Sequence, residues 1–214
     1  MATGPSVRNI IVGAAAIFVS ATTKQDGSAA GAYPTINAGS SAIGQLQADS
    51  SWRDVGYTSA GLELSYEPSY GEVTVDQMLD AARLFKQGQK VMLKTEFAET
   101  TLTNLFLVMN QETGLTGTEI SNGGTGTATQ TLEIQGGALG DYPVERSLVA
   151  VGQAPRSATA TDSERVYYAS RVMSIDTSAH SLKRDGAVVF PVNFRLLPVA
   201  SSSNAYGKIV DRTW

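Results

Sequence analysis

The sequence predicts a mainly β, antiparallel fold with one short amphipathic helix. Three observations carry that expectation. Residues 61–66, 71–79 and 89–97 alternate apolar and polar side chains with the period of a half-buried strand. Residues 102–109 then switch to helical spacing, with Leu102, Leu105, Phe106 and Met109 on one stripe. Finally, 21 glycines among abundant Ala, Ser and Thr indicate turns and long loops rather than a helix bundle.

Each element follows in order. Residues 9–21 read as a first strand whose two faces are both apolar or small, so it should be covered on both sides. The apolar run 10–19 could also serve as a signal peptide. The strand is favoured, because the charged lead-in is a single Arg8 and the run is too short to span a membrane. Residues 22–51 are rich in Gly, Ala, Ser and Thr. A structureless stretch of that length is unusual in a compact domain, so a loop or hairpin that packs on another copy is favoured over a partly ordered surface loop. Residues 61–66 and 72–76 form a hairpin or hairpin corner, with Pro68 as interruption and residues 67–70 as turn. Residues 80–87 suggest a helical turn or two, stopped by Gly88. Residues 89–97 place Val91, Leu93, Thr95 and Phe97 on one face and Lys90, Met92, Lys94 and Glu96 on the other. Glu99, Thr100 and Thr101 suit the N-terminus of the following helix. Residues 114–140 read as a low-charge loop with a strand near 129–135. Strands at 146–151, 164–175 and 186–197 complete the set, Pro191 marking an edge or bulge. The whole chain, 1–214, forms one domain, with a Ser-rich linker and short arm over 201–214.

Composition excludes several function classes. Hydrophobic residues make up 42% and charged residues 17%, so a core is available and global disorder is not expected. The net charge is −4 and the pI about 5.0, which leaves no basic face for tight nucleic-acid binding. Cysteine is absent, which removes disulfides, thiolate–zinc sites and a thiol nucleophile together. His180 is the lone histidine and cannot build a histidine metal site. The glycine run 123–126 lacks the Lys-Ser/Thr pair of a phosphate-binding loop, and no GxSxG elbow occurs. Asp76 with Asp80, and Glu96 with Glu99, could pair for acid/base work. Their setting on a polar strand face and a helix cap favours structural roles. No catalytic residue, metal or cofactor is therefore assigned.

One ordered series of segments goes further. It comprises Val55-Gly56-Tyr57-Thr58, then Tyr66-Glu67-Pro68, then Val75-Asp76-Gln77 with Leu79, then Gly88. Ala98-Glu99-Thr100-Thr101-Leu102 with Asn104-Leu105 follows. Phe190-Pro191-Val192-Asn193-Phe194, Tyr206-Gly207 and Asp211-Arg212 close the series. In this order the series resembles the major tail tube protein of long-tailed, siphovirus-like bacteriophages, over roughly half the chain. The resemblance implies a β-sandwich or half-barrel of antiparallel strands with one flanking α-helix, a long loop and a C-terminal arm. It implies a structural virion subunit, made in the cytoplasm of the infected bacterium, with no enzymatic activity and no membrane anchor. Hexameric rings would stack into a hollow conduit for genomic DNA. The implied partners are further copies of itself, a tape measure protein, a tail tip or initiator protein, a tail terminator, and double-stranded DNA in transit without sequence-specific binding.

In that arrangement Glu63, Glu72, Asp76 and Glu96, offset by Lys90 and Lys94, are expected to face the lumen. An acidic or neutral bore does not trap a duplex carrying about one charge per 1.7 Å. The plainer reading of the same charges is a solvated sheet face. Phe18, Tyr33, Ile36, Trp52 and Trp214 are the candidate inter-subunit anchors. Three alternatives remain on the sequence: another virion β-protein such as a capsid decoration or tail terminator subunit, the tube subunit of a bacterial injection system, or a secreted β-sandwich that binds or cuts glycans. The last requires a cleft holding Trp52 or Trp214 beside two carboxylates.

Overall fold

A computed structural model of the chain describes residues 10–11, 13–24, 33–118, 128–136, 139–156, 162–175, 179–182, 184–199 and 205–214. The fold is mainly β and antiparallel, as expected, with two short helices rather than one among the described residues. The strands are β1 (Ala16–Ser20), β2 (Trp52–Asp54), β3 (Thr58–Val73), β4 (Arg83–Phe97), β5 (Leu115–Gly117), β6 (Gln130–Leu132), β7 (Arg146–Gln153), β8 (Ser163–Ser174), β9 (Phe190–Leu196) and β10 (Gly207–Thr213). The helices are α1 (Ala42–Ala48) and α2 (Leu102–Val108).

One sheet runs in the order β2-β1-β7-β8-β9-β4-β3, with β10 paired to β8. The first half of β8 pairs β10 and its last residues pair β9, so those two strands follow one another along the same side of β8. β5 and β6 make a separate two-stranded ribbon. The large sheet is curled but not closed. β2 and β3 are its two outermost strands, yet only residues 55–57 connect them. Four peptide steps from Asp54 to Thr58 span at most about 14 Å, so the two ends of the sheet must curve toward each other. The core confirms the curl. Ile17 on β1 and Phe97 on β4 lie in one buried cluster with Leu93, Leu148, Val172, Phe190 and Phe194, capped by Leu107 and Val108 of α2. The sandwich of the half-barrel expectation is thus one bent sheet around a helix.

Of the first strand expected over 9–21, only 16–20 is strand, and that part is covered on both faces, whereas Ile10, Ile11, Gly13 and Ala14 ahead of it are exposed and outside any strand. Ile17 and Val19 enter the α2 side, while Phe18 enters a second cluster with Trp52, Val149, Val151, Val166 and α1 residues Ala42 and Leu46. In β4 the buried residues Val91, Leu93, Thr95 and Phe97 share the core face. In β9 the alternation of Phe190, Val192, Phe194 and Leu196 is likewise buried. Pro191 sits where β8 does not reach, since β8 pairs only with the last three residues of β9. A missing N–H donor costs least at such a locally open edge.

The hairpin differs from its expected form. β3 is one continuous strand of 16 residues that runs through Pro68, and the turn lies at 74–82 instead of 67–70. β3 is the last strand of the sheet, so proline can point its donor-less side at solvent. Residues 83–87 are strand, not helix. β9 pairs β4 only from Val91 to Phe97. The part of the hairpin beyond Lys90 therefore projects from the body as a two-stranded ribbon.

Candidate assembly surface

The site begins at the strap joining β2 to β3, because it fixes where the hairpin starts. Gly56 adopts φ +82, and a Cβ there would collide with the Glu99 carboxylate at 2.1 Å, so this position requires glycine. The Gly56 N–H donates to Asp54 Oδ1 at 2.9 Å, and the Tyr57 N–H donates to Glu99 Oε1 at 3.0 Å. Buried Asn104 donates from its amide to the carbonyls of Val55 and Glu99, both at 2.8 Å. Thr101 caps α2 by accepting from the Asn104 N–H at 3.2 Å. Threonine thus takes the cap and Glu99 holds the strap, a division that helix-end chemistry alone does not reveal. Two segments of the tail-tube-like series, 55–58 and 98–105, are in direct contact.

From this base the hairpin presents two unlike faces. Glu63 pairs with Lys94, Ser65 with Met92 and Glu67 with Lys90, and across β4 Met92 pairs with Arg195 and Lys94 with Asn193. A shallow depression of about 590 Å³ lies here, lined by Glu63, Lys90, Met92, Lys94, Glu96 and Asn193, among others. Lys94 Nζ is 3.8 Å from Glu63 with both side chains exposed, and Ser59 donates to Glu96 at 2.8 Å. Three carboxylates (Glu63, Glu67, Glu96) share this face with three cations (Lys90, Lys94, Arg195), so it is mixed and balanced rather than acidic.

Four of the six residues expected to share a lumen face, Glu63, Lys90, Lys94 and Glu96, are thus brought together. The other two are not. A bulge between Ser69 and Tyr70 leaves the alternation of β3 intact, so Glu72, paired with Leu84, lies on the opposite face. Asp76 lies in the turn beyond the strand end. The opposite face carries Leu64, Tyr66, Tyr70 and Leu84, all exposed. There Lys86 donates to Tyr66 Oη at 2.9 Å and also bonds Gln89. The Tyr66 bond holds the exposed ammonium above its ordinary pKa.

The anchor residues divide as well. Phe18 is 0% and Trp52 7% exposed, so both belong to the core of their own protomer and cannot serve as surface anchors. Tyr33 and Ile36 are half-buried against the same cluster. Tyr33 bonds Ser170, stacks edge-on against Tyr168 at 5.2 Å, and both rings carry Lys208 Nζ at about 5.0 and 4.9 Å. Trp214 remains 40% exposed. Residues 33–48 of the expected inter-subunit loop pack on their own sheet, as these contacts and α1 show, while 25–32 lie outside the described residues. In the arm, 201–204 lie outside them too, and β10 pairs with β8 of the same chain.

One cleft does set an aromatic beside carboxylates. About 640 Å³ in volume, it has Trp214 with Asp54, Glu99, Asp162 and Glu164 in its lining. Three of these are already engaged: Asp54 by Gly56 and Gln47, Glu99 by Tyr57, and Glu164 by Ala42 and Arg212. Glu96 and Glu99 hold different partners and form no acid/base pair. No group of three or more His, Asp or Glu side chains suited to a metal occurs among the described residues.

A family model described as phage tail tube protein matches residues 6–209 of the 214. The chain belongs to the phage tail tube protein family. It is a structural component of a phage tail and not an enzyme. No curated protein matches the chain. For a tail tube subunit the engaged carboxylates of the Trp214 cleft are struts for the strap and for α1. No helix of the described residues is long and apolar enough to cross a membrane.

Proposed function

We propose that six copies of this chain close into a ring and that the rings stack into a hollow tube through which the phage genome passes during ejection. The observation that carries this reading is the open hairpin edge. β3 ends the sheet with 16 residues of strand, and the ribbon it forms with β4 leaves Leu64, Tyr66, Tyr70, Leu84 and Phe85 exposed. An isolated globule gains nothing from so much unpaired edge and apolar surface. Completion of the curled sheet by neighbours covers both, and a ring of bent sheets is a barrel.

The balanced face of Glu63, Lys90, Lys94 and Glu96 would line the bore. With equal numbers of cations and carboxylates it offers a duplex little net attraction, so DNA can move along it. In such a tail the tape measure protein, the tip initiator and the terminator are the partners that set where the tube starts and stops. The chain is then made in the cytoplasm of the infected bacterium and ends in the virion.

Negative-stain microscopy of the purified chain at high concentration tests this. Hollow tubes with sixfold end views are expected. Isolated globules, trimeric spikes or rings that never stack would overturn it.

A further inference from the structure

Ser170 and Arg171 fall outside the paired registers of β8 on both of its sides. Toward β7, Arg146 pairs with Val172 and Leu148 with Ala169, so β8 spends one residue more than β7 and bulges at 170–171. On the other side β10 stops at the Ala169–Gly207 pair and β9 begins at Val172–Leu196. A bulge disrupts the ladder locally and re-aims side chains. Here the re-aimed groups hold the ends of two separate segments.

The first segment runs from Lys24 to Tyr33. The Lys24 N–H donates to the Glu145 carbonyl and the Glu145 N–H to the Lys24 carbonyl, both at 3.0 Å. The Glu145 carboxylate in turn accepts from Arg171 Nε at 2.7 Å and Nη2 at 2.6 Å. At the far end the Tyr33 hydroxyl bonds the Ser170 hydroxyl. The second segment runs from Pro198 to Tyr206. Arg171 Nη1 donates to the Pro198 carbonyl at 2.5 Å, and the Leu197 N–H donates to the Arg171 carbonyl at 2.9 Å. The Ser170 N–H donates to the Tyr206 carbonyl at 3.1 Å, and the Val199 N–H to the Ala205 carbonyl at 2.8 Å closes the base of the segment.

A guanidinium is a rigid planar fork. With two prongs on Glu145 and one on Pro198, it fixes those groups relative to each other. The Arg171 and Glu145 side chains are 13% and 7% exposed, so water is a poor substitute for either partner and the pair moves as one body.

We infer that the Ser170–Arg171 bulge is a conformational coupler between the two segments. A pull on Lys24 or Tyr33 loosens Pro198 and Tyr206, and the reverse. A partner that grips one segment therefore presets the other, and by linkage the effect is reciprocal. The coupling is built into a single chain and stands whether or not copies form a tube.

Hydrogen exchange of the unassembled chain, read by mass spectrometry, tests this. Lys24→Pro deletes the N–H donated to Glu145, and Tyr33→Phe deletes only the hydroxyl bonded to Ser170. Each is expected to speed exchange of the Leu197 and Val199 amides on the order of fivefold or more, while the Leu93 amide at the centre of the sheet keeps its rate and so excludes global unfolding. In the uncoupled background Glu145→Gln/Arg171→Met the Leu197 and Val199 amides exchange faster from the start, and adding Lys24→Pro should change them no further. The reverse reading is that this background also speeds exchange at Lys24. An ion pair that merely braces its own surroundings predicts parent rates at Leu197 and Val199 in both Lys24→Pro and Tyr33→Phe, and that result overturns the coupling. So does an acceleration by Lys24→Pro that is equally large with and without the ion pair.

Discussion

Replacing Arg212 by methionine should unfasten the C-terminal strand from the segment before α1. Glu164 and Arg212 are 8% and 14% exposed, with Nη1 3.0 Å from the carboxylate, in ion contact though not aligned as a hydrogen bond. The same carboxylate accepts from the Ala42 N–H at 2.9 and 3.1 Å, and Arg212 Nη2 donates to the carbonyls of Asn37 and Ser40 at 2.6 and 3.1 Å. Asn37 and Ser40 are exposed and can turn to water. Glu164 cannot, so Arg212→Met leaves a buried carboxylate with one N–H for company. Removing one partner of a buried pair costs about 3–5 kcal/mol. For a chain of this size that is a fall in Tm of roughly 6–20 °C. The double variant Glu164→Gln/Arg212→Met should recover much of the loss, because a neutral amide oxygen still accepts from Ala42. Urea unfolding of the unassembled chain, followed by circular dichroism across the four-member cycle, reads both quantities. A loss below about 1 kcal/mol for Arg212→Met, the size of an exposed pair, or strictly additive single effects, would refute the reasoning.

Leu93→Ala removes a 2%-exposed side chain from the centre of the curled sheet and should cost about 2–5 kcal/mol in the same assay. Asp211 is held below its ordinary pKa by the Arg165 guanidinium, which donates to it at 2.5 and 2.7 Å. A depressed carboxylate stabilises the fold above its unfolded value of 3.8 and loses that contribution as pH falls further, so Asp211→Asn should differ from the parent at neutral pH and match it in strong acid. The pair is exposed, so the difference should stay under about 1 kcal/mol. Gly207 has φ +148, and a Cβ there would lie 1.9 Å from the Tyr168 carbonyl oxygen, so Gly207→Ala should loosen β10 and speed proteolysis after residue 204 without unfolding the sheet.

The β4 and β9 faces were legible because they alternate strictly and are buried on one side, so period and burial agree. The stretch 16–20 was legible for the complementary reason, being apolar and covered on both sides, whereas Ile10 and Ile11 continue the same pattern but are exposed. Pro68 misled because a proline reads as a break, and only the position of β3 at the end of the sheet makes it harmless. Leu84 and Phe85 read as helix because apolar residues were assumed to be buried, whereas here they sit exposed on a ribbon. Phe18 and Trp52 show the converse error. A large aromatic near a loop looks available for an interface, but α1, which has no strong start or stop signal among Ser41 and Asp49, folds over them. The face of Glu63, Lys90, Lys94 and Glu96 followed from counting by twos, and Glu72 was misplaced because Pro68 was taken to end a strand whose alternation runs on to Val73.

Two irregularities of β3, the extra residues near Gly61 and Pro68, bear on how such an open edge behaves. A long bare strand is a template for indiscriminate pairing. β3 resists this along its length: extra residues near Gly61 break its regularity, and Pro68 removes a donor. Glu63 and Glu67 add charge to the same strand. A random strand from another chain therefore meets an edge that is interrupted at two places. In the proposed ring, a neighbouring copy would pair with what those interruptions leave, a short stretch of edge between Leu62 and Glu67. Backbone pairing would then supply strength, and the side chains beside that stretch identity. In the proposed tube, such a division would let a sheet with an open end stay unpaired in dilute solution and join its own kind when copies are crowded.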